Sequence, residues 1–182
     1  MAEPTGKVLK IIQYGHPTLR VRCDPVTEFT PELKELAEAM FQTMEANEGV
    51  GLAASQVDQR IRLLVVNVPK KDSEEVTRVA AVNPEVLEVE GEWEYEEGCL
   101  SIPDIRDNVV RPERIKLRYQ DLDGEAHELE ATGLLSRVFL HEIDHLNGVL
   151  FVDYLSPVRR MIHSGKLKRM AKETAEQLGQ EA

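Results

Sequence analysis

Residues 133–147 constrain this chain more than any other stretch. Leu134, Leu135, Val138, Phe139, Leu140, Ile143 and Leu146 leave the segment little polar face. Gly148 follows, where a helix end commonly takes a left-handed residue. The pattern predicts a helix opening at Thr132-Gly133, running to Asn147 and buried at the centre of the fold. Inside it lies His141-Glu142-Ile143-Asp144-His145. Residues four apart on a helix share a face one turn apart, so His141 and His145 offer two imidazoles to one point, with Glu142 beside them. Burying these groups uncompensated is costly, and a metal ion supplies the compensation. Glu142 then stands ready to take a proton from a water on that metal. The alternative is two core histidines satisfied by backbone groups.

A catalytic site of this kind wants three protein ligands and an open position. One large peptidase pattern continues with Gly and then a third His; Gly148 is present, but position 151 is Phe151. A downstream Glu is the other option, and Glu173 and Glu176 sit in a charged tail, a poor place for a buried ligand. Cys99 is the better candidate. It lies in Glu96-Glu97-Gly98-Cys99-Leu100-Ser101-Ile102-Pro103, between a strand end and a turn limited by proline. The remaining cysteine, Cys23, reads as a small buried filler, and no disulfide is expected. A further segment, Gly49-Val50-Gly51-Leu52-Ala53-Ala54-Ser55-Gln56-Val57, carries no charge. Gln56 is its one side chain with two strong donors and an acceptor, which suits an oxyanion donor or, more plainly, a satisfied amide in a connection.

Length and composition bound the class. The 182 residues favour a single domain, residues 1–182, with residues 157–182 as a C-terminal helical extension. No apolar run approaches the ~20 residues of a membrane span. Residues 1–7 show no signal or transit pattern, so a cytosolic location is expected. The net charge of −11 argues against a general nucleic-acid binder. From Pro157 onward, however, six Lys or Arg face three Glu, a basic tail on an acidic body.

Local patterns fill in the rest. Thr30-Pro31 opens a helix whose apolar stripe runs through Leu33, Leu36, Ala37, Met40, Phe41 and Met44. Residues 61–68 read as a buried strand, and 79–82 and 86–89 as two shorter strands broken at Asn83-Pro84. Residues 115–119, a turn at Asp121-Leu122-Asp123-Gly124, and 127–131 make a hairpin. Ser156-Pro157 begins a last helix, weakened by Gly165. The expected fold is α+β: one domain of mixed or antiparallel strands around the central buried helix that carries the metal motif, plus a C-terminal helix.

Gly49-Val50-Gly51-Leu52-Ala53-Ala54-Ser55-Gln56, Glu97-Gly98-Cys99-Leu100-Ser101 and His141-Glu142-Ile143-Asp144-His145 follow the order and spacing of the three motifs of peptide deformylases. The chain resembles that family over residues 8–155, and most of all the bacterial type with a helical C-terminal extension. The resemblance implies a hydrolase that removes the formyl group from the N-terminal formylmethionine of new polypeptides and releases formate. It implies Cys99, His141 and His145 as ligands of one divalent metal, Fe²⁺ foremost, with Zn²⁺, Ni²⁺ or Co²⁺ in some preparations. Water on that metal is the implied nucleophile and Glu142 the implied general base, then acid. Gln56 and the backbone N–H of Leu100 would meet the oxyanion. Val50, Gly51 and Gly98 would pair with the extended substrate, and Arg106 matches a substrate-side arginine. Helical spacing puts Leu134 and Val138 on the metal's face, as walls of a methionine pocket. Arg137 departs from the pattern, standing where many relatives carry an apolar residue. The resemblance also implies a monomer with no DNA or membrane partner, and ribosome docking through the basic helix at 157–178. Two rivals stay open: a metallopeptidase cutting internal bonds, and a silent ribosome-binding protein.

Overall fold

The structure, a computed structural model, describes residues 6–179. Residues 1–5, on which most of the N-terminal reading falls, and the last three of the tail lie outside the described residues. Among the described residues, seven strands lie in sequence between the first and second of three α-helices, an α+β arrangement. Strands β1 (Gly51–Ala53), β2 (Leu63–Pro69), β3 (Val76–Glu90), β6 (Arg114–Gln120) and β7 (Ala126–Thr132) form one antiparallel sheet in the order β1-β2-β3-β6-β7. Strands β4 (Trp93–Cys99) and β5 (Ile102–Arg111) form a separate hairpin. The helices are α1 (Pro31–Ala46), α2 (Gly133–Leu146) and α3 (Pro157–Gln177).

The nearly continuous apolar reading of β2 has a direct cause. Successive strand side chains point to opposite faces. Leu64, Val66 and Val68 pack in one core with Val138, Phe139, Ile143 and Leu146 of α2. Leu63 and Val65 pack in a second with Leu33, Ala37, Met40, Phe41 and Met44 of α1. Both faces of the strand are covered, which accounts for the unbroken apolar run from Leu63 to Val66. A third core joins Ile102, Ile105 and Val109 of β5 to Leu150, Phe151, Val152, Leu155 and, from α3, Leu167. It backs the hairpin that carries Cys99.

Helix α1 starts where its sequence signals put it: the Thr30 side chain accepts from the Leu33 N–H, with Pro31 in the first turn. Helix α2 ends before Gly148, whose φ of +75° is left-handed, and a Cβ there would lie 2.7 Å from the Arg20 carbonyl oxygen. One strand assignment needs correction. Residues 79–82 and 86–89 belong to a single strand, β3, with register shifts between Val82 and Glu85 and again between Val86 and Glu88. Proline has no N–H for a ladder, and the irregularity takes Asn83-Pro84 out of register. The Asn83 side chain holds the distortion: its Oδ1 accepts from the Val26 N–H, and its Nδ2 donates to the Val26 carbonyl and to Gln120 Oε1.

Candidate active site and metal centre

Three elements converge. Helix α2 brings His141, Glu142 and His145; the turn between β4 and β5 brings Cys99; the 3-10 turn Ala54–Val57 after β1 brings Gln56. One ligand atom from each of Cys99, His141 and His145 lies within 4.8 Å of the others. Cys99 Sγ is 3.3 Å from His145 Nε2. Phe151, which occupies the position of the absent third histidine, stacks on the His141 ring at 6.1 Å between centroids.

Each side chain is held by a specific partner. Gln56 Oε1 accepts from the Ala53 N–H at 2.9 Å, and its Nε2 donates to Ser101 Oγ at 3.2 Å and to Cys99 Sγ at 3.5 Å. The amide donor end is thereby turned to the sulfur. His141 Nδ1 meets Glu97 Oε1 at 2.7 Å, which leaves Nε2 for a metal, the usual way a carboxylate fixes a ligating imidazole. Glu97 is buried and also receives Arg111 Nε at 2.7 Å, Arg111 Nη2 at 3.0 Å and Arg137 Nη1 at 2.7 Å. Arg111 Nη1 continues to Asp144 Oδ2 at 2.8 Å, and Tyr154 donates to the same oxygen. Two guanidiniums thus face two carboxylates, and the buried charge closes on itself.

These surroundings push the carboxyl groups apart. Burial raises the Glu97 carboxyl, but the hydrogen bonds from His141 and Arg111 outweigh it and pull it down to about 2. Glu142 has no such partners. Burial pushes its carboxyl up to about 7, against the pull of the His141 charge. Its Oε2 is buried with no hydrogen-bond partner, and so is His145 Nδ1. Burial and the neighbouring His141 charge hold His145 well below its ordinary value, in the neutral form that ligates. One sulfur, two imidazoles and an unpaired carboxylate around one point suit a divalent ion with water better than a satisfied polar core does.

Gly51 is required by this packing. A Cβ on it would sit 2.7 Å from Glu142 Oε1 and 2.7 Å from Val138 Cγ1. Beside these groups opens a cleft of ≈ 590 Å³. Val50, Gly51, Gln56, Gly98, Cys99, Leu100, Arg106, Leu134, Val138, His141 and Glu142 all line it, while His145 lies behind them, 1% exposed. Arg106 stands at the rim in an exposed ion pair with Glu96. β1 is the end strand of its sheet and β4 pairs only with β5, so each presents a free edge, and both border the cleft. Sequence reasoning did not single out Glu97, Arg111, Arg137 and Asp144 as a group. The available signal was an arginine in each of two otherwise apolar stretches, Val109-Val110-Arg111 and Arg137-Val138-Phe139, since a buried guanidinium needs a carboxylate.

Comparison with known proteins gives the family and its fold. The sequence pattern of the polypeptide deformylase family matches residues 8–161. A peptide deformylase of Wolinella succinogenes is 47% identical over 164 residues, covering 89% of this chain and 96% of the relative. The crystal structure of peptide deformylase from Thermus thermophilus superposes with a TM-score of 0.84 at 41% identity, covering 91% of this chain and 99% of that one. That of the Ehrlichia chaffeensis enzyme in complex with actinonin gives 0.84 at 36% identity, covering 90% and 97%. The chain belongs to the polypeptide deformylase family.

Proposed function

We propose that this cleft removes the N-formyl group from the formylmethionine at the start of new polypeptides, with Cys99, His141 and His145 holding one divalent ion. The observation that carries the roles is the meeting of those three ligand atoms within 4.8 Å beside a carboxylate oxygen that nothing else uses. A bound ion supplies Lewis acidity, making water a nucleophile near neutral pH and polarising a carbonyl oxygen. Fe²⁺ is our choice of ion, on family resemblance, since sulfur with two imidazoles also suits zinc, nickel and cobalt.

The chain's own groups do the rest. Glu142 Oε2 takes the proton that the attacking water loses and delivers it to the departing amine nitrogen. Gln56 Nε2 and the Leu100 N–H donate to the formyl oxygen as charge grows on it. Glu97 keeps His141 in one orientation and tautomer. The free edges of β1 and β4, at Val50, Gly51 and Gly98, pair with an extended peptide, and Arg106 meets it at the rim. Leu134 and Val138 receive the methionine side chain. Residues 157–182 are proposed as an extension of one domain, acting as a monomer, whose basic helix meets ribosomal phosphates.

The test is formate release from formyl-Met-Ala-Ser by anaerobically prepared Fe²⁺ protein. Turnover is expected from the wild type, with a loss of about 10²-fold or more in Glu142→Gln. Full activity of Glu142→Gln or Cys99→Ser would refute the assigned roles. Cleavage of an unformylated protein would favour a peptidase instead.

A further inference from the structure

Cys99 closes β4, whereas His141 and His145 stand on α2, so two separate elements must be held together for the three to meet. Among the described residues no strand ladder joins them, because β4 and β5 pair only with each other. The hairpin and α2 share no apolar core either. Ile102, Ile105 and Val109 of β5 lie in the third core, which holds no residue of α2. Val138, Phe139, Ile143 and Leu146 of α2 lie in the first, which holds no residue of the hairpin. Polar side chains make the junction instead. His141 meets β4 through Glu97, Asp144 meets β5 through Arg111, and Ser136 donates to the Pro112 carbonyl just beyond β5. Among the described side chains of α2, only Arg137 bonds to both strands. Its Nη1 donates to Glu97 Oε2 at 2.7 Å and to the Val109 carbonyl at 2.9 Å, and its Nη2 donates to the Trp93 carbonyl. The guanidinium lies against the Trp93 ring, 5.0 Å from its centroid, and the residue is 3% exposed. Arg137 stands one turn before His141, and Glu97 two residues before Cys99, so this clamp closes beside the ligands themselves.

We propose that Arg137 is a positioning residue for the metal centre: it fixes the strand that carries Cys99 against the helix that carries His141 and His145, so that sulfur and both imidazoles are presented together to a divalent ion. This rests on the metal site of the deformylase reading above. A site already held in its binding arrangement loses less freedom when the ion arrives, and so binds it more tightly. The charge of Arg137 acts the other way, since a guanidinium repels a cation. Removing the side chain therefore weakens metal binding if position dominates and strengthens it if charge does. Arg137 reaches the site through Glu97 and the hairpin backbone, so its effect falls on metal retention before turnover.

The experiment loads the full chain with Zn²⁺ and titrates it with a competing chelator, in the wild type, Arg137→Met, Arg137→Lys, Cys99→Ser and Leu33→Ala. Arg137→Met is expected to hold zinc about 10- to 100-fold more weakly, the range for groups that orient metal ligands. Arg137→Lys keeps the charge but not the fork that spans both strands, and its affinity is expected to lie between the two. Leu33→Ala opens a cavity in the second core, which holds no residue of α2, β4 or β5. It should lower Tm and leave zinc affinity within about twofold of the wild type. Zinc held by Arg137→Met as tightly as by the wild type, or more tightly, overturns the proposal. If that variant does not fold, wild-type affinity in Arg137→Lys overturns it in the same way. An equal loss in Leu33→Ala overturns it too, because the effect is then general instability. Wild-type zinc affinity in Cys99→Ser overturns instead the metal site on which the proposal rests.

Discussion

Glu142 and Glu97 both neighbour His141 and share a side chain, yet their surroundings set them to opposite uses. Glu97 takes hydrogen bonds from His141, Arg111 and Arg137 and is held as a carboxylate far below neutrality. Glu142, buried without comparable partners, is pushed up to about 7, where a group can both accept and return a proton. Motif spacing made Glu142 legible, because it stands one residue from His141, a proposed ligand, on a predicted helix. The role of Glu97 was not legible, although it sits in a recognisable motif. Its partners Arg111, Arg137 and His141 are 14, 40 and 44 residues away along the chain. Gly51 shows how tight the arrangement is. Replacing it by alanine puts a methyl group against Glu142 and Val138, which must shift. Displacing a proton carrier by about 1 Å costs on the order of 10²-fold in rate. We expect Gly51→Ala to retain its circular dichroism spectrum and lose kcat on that scale; an unchanged kcat would remove Glu142 from the position assigned to it.

Among the helices and strands, caps and periodicity were readable because they act within a turn or two. Helix α1 begins at Thr30-Pro31, and the last helix follows Ser156, whose side chain caps the Arg159 N–H. The hairpin β6–β7 turns at Asp121–Gly124, where the Asp121 N–H and the Gly124 N–H close on the Glu125 and Asp121 carbonyls. Strand β3 departs from its local pattern, because an Asn-Pro pair that ends most strands is here absorbed by an irregular register. Helix α3 retains one local weakness. Gly165 is a helical interior glycine with open space where a Cβ would be. Gly165→Ala should therefore stabilise the protein by about 0.4–1 kcal/mol, raising Tm by roughly 1–4 °C, as thermal unfolding will read. A lower Tm would mean that the glycine serves a contact outside the chain.

Across the protein as a whole, charge is divided unequally. The chain carries −11, and α3 carries a cluster of cations. Some of these are spent inward: Arg159 pairs with the buried Asp107, and Lys166 donates to the Asp104 carbonyl. Lys168 and Lys172 are exposed, Lys172 making only a 4.0 Å contact with Glu176. Exposed cations on an acidic protein bind polyanions locally and with strong salt dependence. Lys168→Glu combined with Lys172→Glu should weaken low-salt association with ribosomes by about tenfold or more, measured by co-sedimentation, while formate release from a short peptide stays the same. Unaltered, salt-sensitive association would show that α3 is not the contact.

The central helix, the histidine pair with its glutamate, the cysteine that meets them and the family were all written in the amino-acid order. They follow from helix periodicity and from three short motifs, which are local quantities. Packing in three dimensions was needed to make Glu97 the hub of a buried ion network, to cover β2 on both faces, and to leave the Arg137 Nε–H buried without a partner. The covering of β2 depends on α1 and α2 packing on its two faces, and the ion network on how the β4–β5 hairpin meets α2, bringing residues 14 to 44 positions apart within hydrogen-bonding reach. A charged residue in an apolar stretch tells that a partner exists; only packing tells which one it is and what is left unpaired.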